Sequence, residues 1–168
     1  MILRAVELSD VDLLFEWEND LELWEVGNTM RPFSRYAIEE YVINSQNDSL
    51  YSAKQMRLMI DMEKENITTT LGCVDLYDFE ARDFKAAVGI FIAKSERKKG
   101  YAKKALLSLE KMIKNVYNLH QLYAYVTEDN EDSKILFEKS GFLQTATLKD
   151  WVCRDNKFKN VIVYQKTL

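Results

Sequence analysis

Cysteine and histidine are both scarce in this chain: Cys73 and Cys153 lie far apart, and His120 stands alone. With no CxxC pair and no clustered histidines, a zinc site has no ligands, and the two cysteines read as ordinary buried thiols. His120 has no partner pattern and reads as a structural or surface residue. Eighteen apolar residues never run together, so no membrane-spanning segment is expected. The opening MILRAVELSD lacks the basic-then-apolar order of a secretion signal, which makes the cytoplasm the expected setting. Neither GxxxxGK[ST] nor GxGxxG occurs, which removes support for the P-loop and dinucleotide-fingerprint classes. A net charge of −4 argues against nucleic acid as a partner, because such binding needs a broad basic face.

What is present suffices for one compact domain spanning 1–168, since 47% of the 168 residues are hydrophobic. ILRAV reads as a strand, and LSDVDLLFEWEND as a helix with Ser9 as N-cap and Val11, Leu14, Phe15 and Trp17 apolar. LELWEVGNTMRPFS then breaks into a loop at Gly27, Asn28 and Pro32, before Ser34 caps a second helix over RYAIEEYVINSQ. Three runs, QMRLMIDME, NITTTLGCVDLYDF and FKAAVGIFIA, form an antiparallel meander with turns at 64–66 and 80–83. YAKKALLSLEKMIKNVYN places Ala102, Ala105, Leu106, Leu109, Met112, Ile113 and Val116 on one helical face. LHQLYAYVT is a strand, NEDSKILFEKSG a short helix closed by Gly141, and FLQTATLKDWV and FKNVIVYQK a final hairpin around CRDNK. The order is β-α-α-β-β-β-α-β-α-β-β, an α/β chain with no repeat and no domain boundary.

Within this acidic chain one stretch, AKSERKKGYAKKAL, holds six Lys or Arg between Lys94 and Lys104. It connects a buried strand to the strongest helix, so free backbone N–H groups and the positive end of the helix dipole coincide with Arg97, Lys98, Lys99, Lys103 and Lys104. Gly100 allows close backbone approach or a positive φ, and the ligand this points to is a pyrophosphate.

Arg97-Lys98-Lys99-Gly100-Tyr101-Ala102 resembles the Arg/Gln-x-x-Gly-x-Gly/Ala signature of the GNAT superfamily of acyl-CoA-dependent N-acetyltransferases. The likeness extends to AAVGIFI, to LYAYVTEDNEDSKILFEKSGF with its Asn130, and to the opening LRAVELSDVDLL. Within the superfamily the chain looks most like the branch of polyamine and ribosomal-protein N-terminal acetyltransferases. The resemblance implies a mixed, mostly antiparallel sheet flanked by helices, with VGIFIA and LYAYVT splaying apart to admit the pantetheine arm of acetyl-CoA. It further implies that backbone groups of Ile90, Phe91 and Ile92 pair with that arm, that residues 97–103 wrap the pyrophosphate, and that Asn130, Ser133, Phe137 and Lys139 lie near the cofactor's far wall.

The expected reaction is acetyl transfer to a primary amine, such as a polyamine like spermidine, by direct attack in a ternary complex. The alternatives are acetylation of a protein or peptide N-terminus and a CoA-binding module that has lost its chemistry. Partners are then a small amine or a peptide N-terminus, and assembly with further copies of the chain is common in the superfamily. The usual tyrosine acid is replaced by Phe137, and the glutamate that some relatives carry before the loop by Ala87. A proton for the departing thiolate then comes from water or from Tyr123 or Tyr125, unless the thiolate leaves unassisted. Glu25, after Trp24 in an acidic and aromatic segment, is the candidate proton relay, and Trp24, Glu25, Asp75 and Trp151 are the candidate acceptor contacts. Asp75 and Asp78, alternating in VDLYDF, face either the acceptor cleft or solvent, and Trp151 and Asp150 either border the acceptor site or serve packing.

Overall fold

A computed structural model describes residues 1–26, 29–154 and 156–168, the side chains of Glu25 and Val26 excepted. The strands are β1 (Ile2–Ala5), β2 (Met56–Lys64), β3 (Ile67–Glu80), β4 (Lys85–Ile92), β5 (Gln121–Thr127), β6 (Leu143–Arg154) and β7 (Lys157–Thr167). They form one seven-stranded sheet in the order β1-β2-β3-β4-β5-β7-β6. Every neighbouring pair is antiparallel except β4 with β5. Short turns make the meander possible: Glu65 and Asn66, at φ 52 and 62, both take the left-handed geometry that follows the twist of β2 and β3.

The helices are α1 (Val11–Glu18), α2 (Leu21–Val26), α3 (Arg35–Ser45), α4 (Leu50–Ala53), α5 (Tyr101–Tyr117) and α6 (Glu131–Lys139). The expected mixed sheet and its flanking helices are all present, with two short helices added. α2 forms where a loop is expected, because Asp20 acts as its cap: its carboxylate accepts the Glu22 N–H at 2.9 Å and its carbonyl the Leu23 N–H at 2.9 Å. α4 is started by Ser49, whose hydroxyl accepts the Ser52 N–H at 3.2 Å. Ser34 caps α3 as expected, accepting the Ala37 N–H at 3.1 Å. Ser9 does not cap α1: it lies inside a 3-10 turn, Leu8–Asp10, and the Asp10 carboxylate instead accepts the Glu7 N–H at 2.8 Å. Gly141, at φ 85, closes α6 as the sequence requires.

Side chains alternate across the sheet, so two cores form on its two faces. On one, Ala105, Leu106, Leu109 and Ile113 of α5 cover Leu58, Ile60, Val74, Ala86, Val88 and Leu122. Val116 does not join this face and is 65% exposed, and Tyr117 packs inward in its place. On the other, Val11 and Leu14 of α1 and Ile38 and Val42 of α3 cover Met59 and Cys73, with Trp17 tilted onto Phe91 at 4.9 Å. Gly72 is obligatory where β3 meets the end of β4, since a Cβ there would lie 2.0 Å from the Phe91 carbonyl oxygen. Among the described residues no helix is long and apolar enough to cross a membrane.

Candidate functional site

β4 and β5 pair at three positions only, Lys85 with Gln121, Ala86 with Leu122 and Ala87 with Tyr123, and then part. β4 stays paired with β3 as far as Ile92, and β5 with β7 as far as Thr127, so a wedge opens in the middle of the sheet. On its β5 side, β4 presents backbone groups of residues 88–92 outside any ladder, a strand edge that an extended ligand arm can satisfy. Each of the two parallel strands runs on toward a helix, so the N-termini of α5 and α6 both lie at the open end.

The basic loop bridges β4 and α5. Gly100 takes φ 79 and Lys98 φ 62, and no side chain caps α5, whose first N–H groups are therefore available. Open space surrounds the missing Cβ of Gly100. Arg97 donates from Nε to the Ile92 carbonyl at 3.0 Å and ties the loop to the end of β4. Lys99 pairs with Glu96 at 3.0 Å and Lys94 with Glu22 of α2 at 2.9 Å, while Lys98, Lys103 and Lys104 are exposed. Across the wedge, Asn130 caps α6 by accepting the Ser133 N–H at 3.1 Å.

A groove of ≈660 Å³ runs between these walls, with Ile90, Phe91, Ile92 and Arg97 on one side and Asn130 and Ser133 on the other. It joins a cleft of ≈590 Å³ bounded by Gly89, Ile90, Tyr125, Phe137 and Trp151. Tyr101 and Ala102 are half-buried against the core beneath α5. Lys139 does not join the groove: it is exposed in the last turn of α6, at the opposite end of the helix from Asn130. Phe137 is 4% exposed, edge-on to Phe142 at 5.1 Å and stacked on Tyr164 at 6.1 Å, so it belongs to the core while lining the cleft.

Adjoining the cleft, Trp24 lines a smaller hollow of ≈220 Å³ with Trp17, Glu18, Arg57, Asp75 and Gly89. Its indole N–H donates to the Glu18 carbonyl at 2.7 Å. Asp75, directly opposite Arg57 in the β2–β3 register, accepts from Arg57 Nε at 2.7 Å and Nη2 at 2.8 Å. Glu18 Oε1 accepts from Arg57 Nη1. Burial works against the guanidinium's charge, but Asp75 and then Glu18 outweigh it and hold Arg57 protonated well above its ordinary range. Sequence reasoning passed over Arg57; its signal was one charged residue in the apolar run MRLMI, on the same strand face as Met59.

Burial, then Asp78 and Tyr125, push the Tyr77 phenol up to about 12, and burial followed by Asp78 also raises Tyr123. Both stay protonated at neutral pH. Tyr123 and Tyr125 meet edge to face at 5.5 Å. Trp151 is 62% exposed at the cleft mouth, and Asp78 stands exposed on its wall. Asp150 is exposed in β6, where its N–H donates to Asn160 Oδ1 at 3.0 Å. The Glu25 side chain lies outside the described residues. Of the two cysteines only Cys73 is buried, its thiol pushed up to about 12 chiefly by burial; Cys153, expected inside, is exposed in the last hairpin.

Residues 1–143 match the family model for the acetyltransferase (GNAT) domain. The spermidine N(1)-acetyltransferase of Vibrio cholerae is 20% identical over 161 residues, 96% of this chain and 89% of that protein. The crystal structure of spermidine N-acetyltransferase from Vibrio cholerae in complex with CoA and spermine superimposes with a TM-score of 0.84 at 21% identity, covering 99% of this chain and 94% of the other. The ribosomal L7/L12 alpha-N-protein acetyltransferase RimL in complex with CoA gives 0.84 at 16% identity, covering 99% and 93%. The family model covers most of the chain, which therefore belongs to the GNAT acetyltransferases.

Proposed function

We propose that the chain transfers an acetyl group from acetyl-CoA to a primary amine held on the α1–α2 side of β4. The observation that carries this reading is the wedge between β4 and β5, opening beside an uncapped helix N-terminus that a basic loop leads into. The donor set suits CoA: N–H groups at the start of α5 with Lys98 and Lys103 for the pyrophosphate, and the free edge of β4 at Ile90, Phe91 and Ile92 for the pantetheine amides. Asn130 and Ser133 form the facing wall, with Phe137 as its apolar floor. Bound acetyl-CoA supplies an acetyl group on a thiolate leaving group.

Transfer needs a neutral amine, although a free alkylamine is protonated at pH 7. Asp75, Glu18 and the faces of Trp24 and Trp151 draw the ammonium toward Gly89, and Glu25, next to Trp24 in α2, accepts its proton through water. The amine nitrogen then bonds to the acetyl carbon as the carbon–sulfur bond breaks, and backbone N–H groups of β4 polarise the carbonyl. Phe137 has no proton to give the departing sulfur. Tyr125, on the β5 wall of the same cleft, takes that role and is reprotonated from solvent. The likeness to the spermidine enzyme of Vibrio cholerae makes a small amine, polyamine or simpler, the first acceptor to test, and the likeness to the L7/L12 enzyme keeps a peptide N-terminus as the rival. Turnover on spermidine against Ser- and Ala-starting peptides separates the two. Tyr125→Phe is expected to lower kcat with little change in KM for the amine; an unchanged kcat removes Tyr125 from the mechanism.

A further inference from the structure

The reaction cleft does not end at Arg57. Behind it a hollow of ≈320 Å³ runs between α1, α3 and the adjoining ends of β2 and β3. Glu18, Arg57, Asp75 and Tyr77 line both this hollow and the cleft, so the two adjoin at these side chains. Beyond those four the walls are mostly apolar, with Leu14, Phe33, Ala37, Ile38, Met56 and Leu76, and the Tyr41 phenol and Gln55 amide complete the lining. At the junction the two carboxylates of Glu18 and Asp75 face the one guanidinium of Arg57, leaving a single net negative charge. Asp75 spends both oxygens on Arg57, whereas Glu18 engages it through Oε1.

At the junction itself that arrangement complements one ammonium. A second cationic centre placed past Glu18 and Asp75 meets Leu14, Phe33 and Ile38 with no further carboxylate in the lining, and moving a charge against that apolar wall is unfavourable. A hydrocarbon arm in the same place gains from leaving water.

Resting on the acetyl-transfer reading above, we propose that this hollow is a subsite for the acceptor, and that the acceptor is a monoamine whose ammonium sits at Glu18 beside Gly89 and whose hydrocarbon arm lies along α3. The hollow selects the acceptor by the length and apolarity of the arm. A polyamine, with a charge every few carbons, fits it poorly.

The test titrates propylamine, hexylamine and spermidine into the full chain saturated with CoA, following heat, and repeats the series with Ala37→Trp and Gln55→Trp, which narrow the hollow from two sides. Three further methylenes going into an apolar hollow are expected to tighten hexylamine over propylamine by at least about 10-fold. Spermidine is expected to bind more weakly than hexylamine. In each folded variant the hexylamine-to-propylamine ratio is expected to fall toward one. Equal affinity for the two alkylamines, no binding of hexylamine, or a ratio preserved in both variants overturns the subsite. Acetyl transfer is scored separately: a chain-length preference that the variants erase, without turnover on any amine, leaves the subsite standing and removes the transfer reading.

Discussion

Gly100 holds the backbone torsion on which the proposed donor site depends. Its φ of 79 costs an L-residue roughly 1–2 kcal/mol, and nothing else crowds the position, so a substitution acts through the loop and not through packing. Gly100→Val is therefore expected to weaken acetyl-CoA binding by about 10-fold or more while lowering global stability by no more than about 1–2 kcal/mol, measured by calorimetry and urea unfolding. Arg57 is the opposite case. Removing its charge leaves Asp75 and Glu18 facing each other half-buried, and Arg57→Met is expected to cost about 3 kcal/mol in urea unfolding. The sequence displayed these two residues unequally. Gly100 stood in a strand-to-helix connection crowded with cations, a local signal, whereas the partner of Arg57 lies on another strand and the pair appears only once β2 and β3 are in register. Cys153 misled for a related reason: a thiol's burial depends on which hairpin face the fold covers. With Cys73 buried and pushed up to about 12, a thiol reagent at pH 8 is expected to modify Cys153 alone in the native protein and both cysteines after denaturation.

At the scale of elements, the helix starts that position the site are set by short side chains. Ser34, Ser49, Asn130 and Asp20 each accept a backbone N–H at the start of a helix. α5 has no such cap, consistent with an N-terminus kept for an anion. Asp10, at the entry to α1, has a pH signature. Burial pushes its carboxyl up, but hydrogen bonds from Arg4 at 2.7 and 2.8 Å and from the Glu7 N–H more than offset that, leaving it below its ordinary 3.8. A lowered carboxyl contributes stability that is fully present above its unfolded value and is lost as pH falls through the folded one. Stability is thus expected to decline below about pH 4, and Asp10→Asn is expected to flatten that decline while lowering stability at pH 7, followed by denaturant unfolding across pH. Long elements such as α5 and the β2–β3 meander were legible from periodicity. α2 and α4 were not, because six and four residues are too few for a period to show.

For the molecule as a whole, function follows from one irregularity in the sheet. Among the described residues six strand pairs hold it together, and the only parallel one lets go after three residues, leaving a wedge into which two helices point their N-termini. The loop and strand ends of the proposed donor side stand out in the sequence, since they build it locally. The acceptor side gathers Glu18, Arg57, Asp75, Tyr125 and Trp151 from α1, β2, β3, β5 and β6, and no spacing in the chain records that convergence. The account's central claim is that this wedge passes acetyl from CoA to an amine. The most direct measurement incubates the purified chain with acetyl-CoA and a panel of primary amines, following release of the CoA thiol together with the acetylated product by mass. The account predicts thiol release that requires an amine and matches the acetylated amine formed. Tight binding of acetyl-CoA with no acetylated product from any amine in the panel would contradict it.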